Sequence, residues 1–238
     1  MKIRTLLLAV LLSGFTFAAQ AFTLTTSGTV NYGYDGQGLF GAAGSNLTGQ
    51  SYSATLNFDP TNFAYQYNDG YTNYAYDYSS SNVFGSYWVT LNGITTSGTI
   101  SNNFAQAYVA NYTDYYYYYS NFSQVYGQLD GTNTATGNYS YLYQYLYSYN
   151  TNHLGLTGTD YNQLASYTTQ QADEYGYGGF YDYNYTTGQY TQFDFTPSSY
   201  VLNGATPAFS SQVPEPTPLA LFGIGLLGAG YIRHRKKS

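Results

Sequence analysis

The chain has 238 residues, only 8% of them charged: 12 Asp+Glu against 6 Lys+Arg. The basic residues are Lys2, Arg4, Arg233, Arg235, Lys236 and Lys237, so the long middle has no cation with which to hold nucleic-acid phosphates, form a Schiff base or build a P-loop. Cysteine is absent, which excludes disulfides, thiolate zinc sites and a Cys nucleophile.

Lys2 and Arg4 precede an apolar run over residues 6–17, and Ala19-Gln20-Ala21 supplies a small-x-small cleavage site. This is the three-part build of a secretory signal peptide, so residues 1–21 are expected to be removed between Ala21 and Phe22. The run is too short to span a bilayer as a helix, which needs roughly 20 residues.

The body that follows, residues 22–212, holds every tyrosine of the chain's 34 except Tyr231. Its eleven acids are unopposed by Lys or Arg, giving a formal charge of −11 where the whole chain has −6. Aliphatic residues and Phe are sparse, so tyrosine rings must supply core area, each buried hydroxyl then needing a partner.

Alternation with period two, the mark of a strand, recurs along the body. It appears at Tyr52, Ala54, Leu56 and Phe58, at Tyr74, Tyr76 and Tyr78, and at Tyr181, Tyr183 and Tyr185. It is most regular over residues 139–149, where every odd position is Tyr and the even ones are Ser, Leu or Gln. Asn92-Gly93 predicts a two-residue hairpin, Thr186-Thr187-Gly188 a second turn, and Asp130-Gly131 the end of another run. One helix is expected over 160–171, with Asp160 as N-cap, although Tyr167, Thr168 and Thr169 suit a strand as well. The fold class expected is all-β, an antiparallel β-sandwich of about 9 to 12 short strands, with residues 108–149 as a tyrosine-rich insertion.

The C-terminal 213–238 opens with Pro214-Glu215-Pro216, continues with an uncharged Leu/Gly/Ala-rich stretch over 219–232, and ends in Arg233, Arg235, Lys236 and Lys237. Prolines allow a helix to begin cleanly after them, and a basic cluster directly after an apolar run stops transfer on the cytoplasmic side. One C-terminal transmembrane helix is therefore expected, with the body outside. These three elements in this order resemble the PEP-CTERM sorting signal of exported Gram-negative proteins. The resemblance implies an exosortase that recognises the tail and cuts near Pro214, Glu215 and Pro216, an inner-membrane-anchored intermediate, and a final place at the cell surface or outside the cell. It also implies a host that makes exopolysaccharide and biofilm. Ser27-Gly28-Thr29-Val30, Gly38-Leu39-Phe40-Gly41, Leu47-Thr48-Gly49, Leu56-Asn57-Phe58-Asp59 and Leu91-Asn92-Gly93-Ile94 further resemble the start and central hairpin of a β-rich domain carried by many such proteins.

Chemistry-bearing residues are few. His153 is the body's only imidazole, and its context lacks a nucleophile elbow, so a loop His is expected. Asp173, Glu174, Asp182 and Asp194 are the carboxylates available for glycoside cleavage, but their spacing sets no pair across a cleft. Asp130-Gly131-Thr132-Asn133-Thr134 and Asn68-Asp69-Gly70 offer hard oxygen ligands for calcium without the twelve-residue loop pattern, and turn chemistry accounts for both. No catalytic residue and no cofactor is expected. The tyrosine faces can be core, a platform for stacking sugars, or strands that self-associate. An exported, non-enzymatic protein of the extracellular polysaccharide is the first expectation, a self-assembling structural protein the alternative, and a secreted polysaccharide hydrolase the last.

Overall fold

The computed structural model describes residues 22–112, 122–150, 153–161, 163, 165–167 and 174–203. Both terminal signals, the run Tyr115 to Tyr119 and Asp173 lie outside these residues. The strands in chain order are β1 (Phe22–Asp35), β2 (Ser45–Asn46), β3 (Ser51–Phe58), β4 (Tyr65–Asn68), β5 (Thr72–Leu91), β6 (Ile94–Tyr112), β7 (Phe122–Asn133), β8 (Tyr139–Ser148), β9 (Ala165–Tyr167), β10 (Glu174–Tyr183) and β11 (Tyr190–Leu202). A 3-10 turn, Pro60–Asn62, follows the Asp59 cap. No helix among the described residues is long and apolar enough to cross a membrane.

The all-β expectation holds, but the layers are not those of a sandwich. Antiparallel pairing runs β1-β3-β5-β6-β7-β8-β10-β11, and β11 pairs back onto β1 from Leu24↔Leu202 to Asp35↔Thr191. Eight strands thus close a barrel, while β2, β4 and β9 flank it on β1, β5 and β11. A sandwich would leave β1 and β11 as edges; here β1 is bonded to β3 on one side and β11 on the other. Register shifts at Ser27/Gly28 and Val30/Tyr32 let β1 bend into the closure, and at Gly28 a Cβ would stand 2.1 Å from the Thr196 carbonyl oxygen. Only glycine admits that approach.

Residues 108–149 are no insertion. They supply the end of β6 and the whole of β7 and β8, so the barrel cannot close without them. The expected helix over 160–171 is also replaced in part: Ala165, Ser166 and Tyr167 pair with Leu202, Val201 and Tyr200 as β9. Asp130-Gly131 lies inside β7 at a register shift rather than at its end. Asn92-Gly93 does turn β5 into β6, with positive φ of 49° and 78° as a tight hairpin of this kind requires. The turn through Thr186-Thr187-Gly188 joins β10 to β11.

Eight strands leave an interior just wide enough for side chains to fill. Phe22, Leu24, Leu56, Phe58, Tyr87, Val89, Val125, Leu129, Leu142, Phe180, Phe193 and Phe195 fill it. Large rings on the β1, β3, β10 and β11 wall face small residues on β6 and β7, notably Ala105, Ala107 and Gly127. Tyr52, Tyr87, Tyr161 and Tyr200 are the buried tyrosines among the described residues. Most of the others are turned outward, so aliphatic residues and Phe build the core and tyrosine coats it.

Candidate functional site

Alternation decides which way each tyrosine points. In β8 the even residues Ser140, Leu142, Gln144, Leu146 and Ser148 are buried, and the odd tyrosines 139 to 147 stand half-exposed on the outside. The same parity on β7 and β10 puts Gln124, Tyr126, Gln128 and Asp130, and Tyr175, Tyr177, Tyr181 and Tyr183, on that outer wall.

Antiparallel register then aligns these residues across strands. Tyr67 of β4 opposes Tyr74 of β5, which opposes Tyr108 of β6. Tyr108 opposes Tyr126 of β7, Tyr126 opposes Tyr145 of β8, and Tyr145 opposes Tyr177 of β10. Six tyrosines from six successive strands form one row perpendicular to the chain direction. Ring centroids lie 6.0 Å apart for Tyr74–Tyr108, 6.3 Å for Tyr126–Tyr145 and 4.7 Å for Tyr145–Tyr177. The neighbouring row on one side runs through Tyr65, Tyr76, Gln106, Gln128 and Tyr143. On the other side Gln124 opposes Tyr147, and Tyr147 opposes Tyr175.

Between these rows lies a shallow depression of about 450 Å³, lined by Tyr74, Gln106, Tyr108, Gln124, Tyr126, Tyr145 and Tyr177. Partial burial among the packed rings raises the Tyr74, Tyr108 and Tyr126 phenols above their ordinary range and pushes Tyr145 up to about 12. The hydroxyls therefore stay neutral at ordinary pH, able both to donate and to accept. Tyr126 donates to Gln128 Oε1. The Gln106 and Gln124 side-chain amides make no hydrogen bond within the described residues, which leaves polar groups at the rim of an aromatic floor. The carboxylates on this wall are Asp69, which accepts from the Tyr67 hydroxyl at 3.1 Å, Asp130, which accepts from Asn103 Nδ2 at 2.8 Å, and Asp194, opposite Gly179.

The residues singled out for catalysis are not brought together. Glu174 and Asp182 sit at opposite ends of β10, about 26 Å apart along an extended strand. Asp182 is buried and accepts from Gln37 Nε2 at 2.9 Å, Asn138 Nδ2 at 2.6 Å and Ser140 Oγ at 2.6 Å. Beside it Asp35 accepts from the Leu39 and Phe40 amides and from Thr191 Oγ1, folding the loop after β1 over that mouth of the barrel. Glu174 stands at the other end, 3.7 Å from His153 Nδ1, whose Nε2 is 3.0 Å from Asn150 Nδ2. Asp194 faces outward. Among the described residues no three His, Asp or Glu side chains converge as metal ligands. Asp69 accepts from the Tyr71 and Thr72 amides and from Tyr67, and Asn68 caps Gly70, so the oxygens of that candidate calcium loop serve the turn.

The sorting residues Pro214, Glu215, Pro216, Arg233, Arg235, Lys236 and Lys237, and the cleavage residues Ala19 and Ala21, lie outside the described residues. Comparison by sequence reaches the first group directly: residues 212–236 match the family model of the PEP-CTERM protein-sorting motif. The chain carries an exosortase sorting signal. PEP-CTERM signals mark proteins that are exported and then anchored at or released from the cell surface. No curated protein and no solved structure matches the chain. The tyrosine row and its glutamine rim escaped the sequence reading. Their signal was present as alternation in Phe104, Gln106 and Tyr108 and in Gln124, Tyr126 and Gln128, but only register joins the strands.

Proposed function

We propose that this PEP-CTERM protein passes through an inner-membrane-anchored intermediate, held by a helix over residues 219–232, and then serves outside the cell as a non-catalytic protein of the biofilm polysaccharide. The row of six tyrosines on the outer wall, exposed at Tyr67 and Tyr177 and partly buried between them, carries the reading. Tyrosine offers a flat apolar face with a polar tip, the chemistry that stacks a sugar ring while hydrogen-bonding its hydroxyls. The scattered carboxylates support a binding role over hydrolysis, and the protein works without calcium or another cofactor. Self-association through β8 is disfavoured, because β8 is paired on both sides and has no free edge.

Two measurements test this. In a host with an exosortase, mass analysis of the secreted protein is expected to find Phe22 as first residue and nothing of 219–238. Retention of that segment would overturn the processing route. The secreted protein is also expected to co-sediment with the host's extracellular polysaccharide, and a soluble fraction unchanged by added polysaccharide would overturn the binding role.

A further inference from the structure

The polysaccharide reading leaves the chemistry of the polymer open, and the wall narrows it. Successive strands are spaced about 4.8 Å apart, comparable with the length that one pyranose ring adds to an extended glycan. Five such spacings separate Tyr67 from Tyr177, a contour of about 24 Å along the outside of the barrel, crossing the strands at right angles. Each step offers one tyrosine ring, neighbouring rings being inclined by 66° at Tyr74–Tyr108, 65° at Tyr126–Tyr145 and 41° at Tyr145–Tyr177, and beside the middle of the track Gln106 and Gln124 offer side-chain amides with no hydrogen bond within the described residues. Charge is equally specific: the described residues contain no Lys or Arg, Asp69 holds the Tyr67 hydroxyl at one end of the row, and Asp130 and Asp194 share this wall. A uronate-rich or sulfated polymer would meet a repelling surface with no cation to hold it. A second copy of the body would too, since each carries a formal charge of −11.

We propose that the row Tyr67, Tyr74, Tyr108, Tyr126, Tyr145 and Tyr177 is the track for an extended, uncharged polysaccharide, its rings stacked on the phenols and its hydroxyls bound by Gln106 and Gln124. This rests on the polysaccharide role above and specifies which polymer that role requires. The track length sets a further property: affinity for oligosaccharides rises with chain length to roughly five sugars and then levels off.

The test is affinity electrophoresis of the processed, secreted protein through gels holding a soluble neutral β-glucan, a neutral mannan or alginate, with sedimentation on the host's own polysaccharide alongside. The variants are Tyr126→Ala and Gln124→Ala in the track, and Tyr78→Ala, a ring 70% exposed and off the track, as control. A neutral gel retards the parent chain, Tyr126→Ala weakens binding about tenfold, Tyr78→Ala changes it by less than about twofold, and alginate retards none of them. All three substitutions are on the outer wall, and an unchanged near-ultraviolet dichroism of the core rings confirms folding. Retardation by alginate equal to that by neutral glycans, or neutral binding indifferent to both track variants, overturns this proposal and spares the polysaccharide role. Absence of binding in every gel and to the host polysaccharide overturns both. Concentration-dependent association of the protein that Tyr126→Ala abolishes would make a second copy the occupant, and also overturns the proposal.

Discussion

Asp182 and Asp35 are carboxylates removed from water with no Lys or Arg among the described residues to pair with them, an arrangement that a buried charge tolerates only when its oxygens are saturated by donors. Here the donors are the small amides and hydroxyls in which the chain is rich. Gln37, from the loop after β1, and Asn138 and Ser140, at the start of β8, meet on Asp182, and Tyr87 reaches the same network by donating to Ser140 Oγ at 3.3 Å. Asp182→Ala strips three donors of their acceptor inside the barrel mouth and is expected to cost about 3 kcal/mol. The measurement is a urea midpoint that falls while the slope of the transition stays constant. Asp130, which sits on the outer wall, is expected to lose less than about 1 kcal/mol on the same change. In the sequence Asp182 stands among the carboxylates available for glycoside cleavage and Asp130 in a turn, and neither reading tells which is buried. What separates Asp182 from Asp130 is the face of the strand each occupies, and that parity is fixed by partners far away in the chain.

At the scale of the element, β8 shows how a regular pattern can be read and still be ambiguous. The period of two was plain in residues 139–149, and a tyrosine face follows from it. Which face points inward does not, because the alternative set, Ser140, Leu142, Gln144, Leu146 and Ser148, is no more apolar than a column of tyrosines. Volume decides: the interior of eight strands accepts Ser, Leu and one Gln, whose Nε2 donates to the Ala54 carbonyl at 3.0 Å, but not five more phenol rings. Leu142→Ala is therefore expected to destabilise by about 3 kcal/mol, and the adjacent Tyr143→Ser by less than about 1 kcal/mol, as read from paired thermal or urea transitions. Equal losses would mean that the strand faces the other way. The turn at Asn92-Gly93 was legible because its chemistry is local, two residues whose φ must be positive. The helix expected over 160–171 was not, since β9 exists through pairing with Tyr200, Val201 and Leu202, a partner some 35 residues on that no local preference announces.

For the whole molecule, all-β character was legible and closure was not. A sandwich and a barrel can share the same strands and turns; they differ in whether the first and last strands meet, here Phe22–Asp35 with Tyr190–Leu202. The barrel also gathers the buried tyrosines into one cooperative unit, which gives it an alkaline limit. Burial pushes the Tyr87 phenol up to about 12 from an ordinary value of 10.0, Asp182 adding to the rise and hydrogen bonds with Ser140 and Asn133 opposing it. A folded-state value above the unfolded one means that the neutral phenol's contribution is complete below pH 10 and is lost as pH climbs towards 12. The urea midpoint is expected to hold up to about pH 10 and to fall beyond it, and Tyr87→Phe, less stable at neutral pH, should show a shallower alkaline fall. Closure also bears on timing. Asn203 donates to the Thr23 carbonyl at 2.7 Å and its side chain accepts from the Thr23 amide, so the last strand locks against the first residues of the exported body. A chain threading outward from its N-terminus must hold β1 unpaired on one side until residue 202 has emerged, only about ten residues before the sorting motif begins. The β1–β11 seam therefore closes only after the whole body has been delivered, with little more than the sorting signal left to follow.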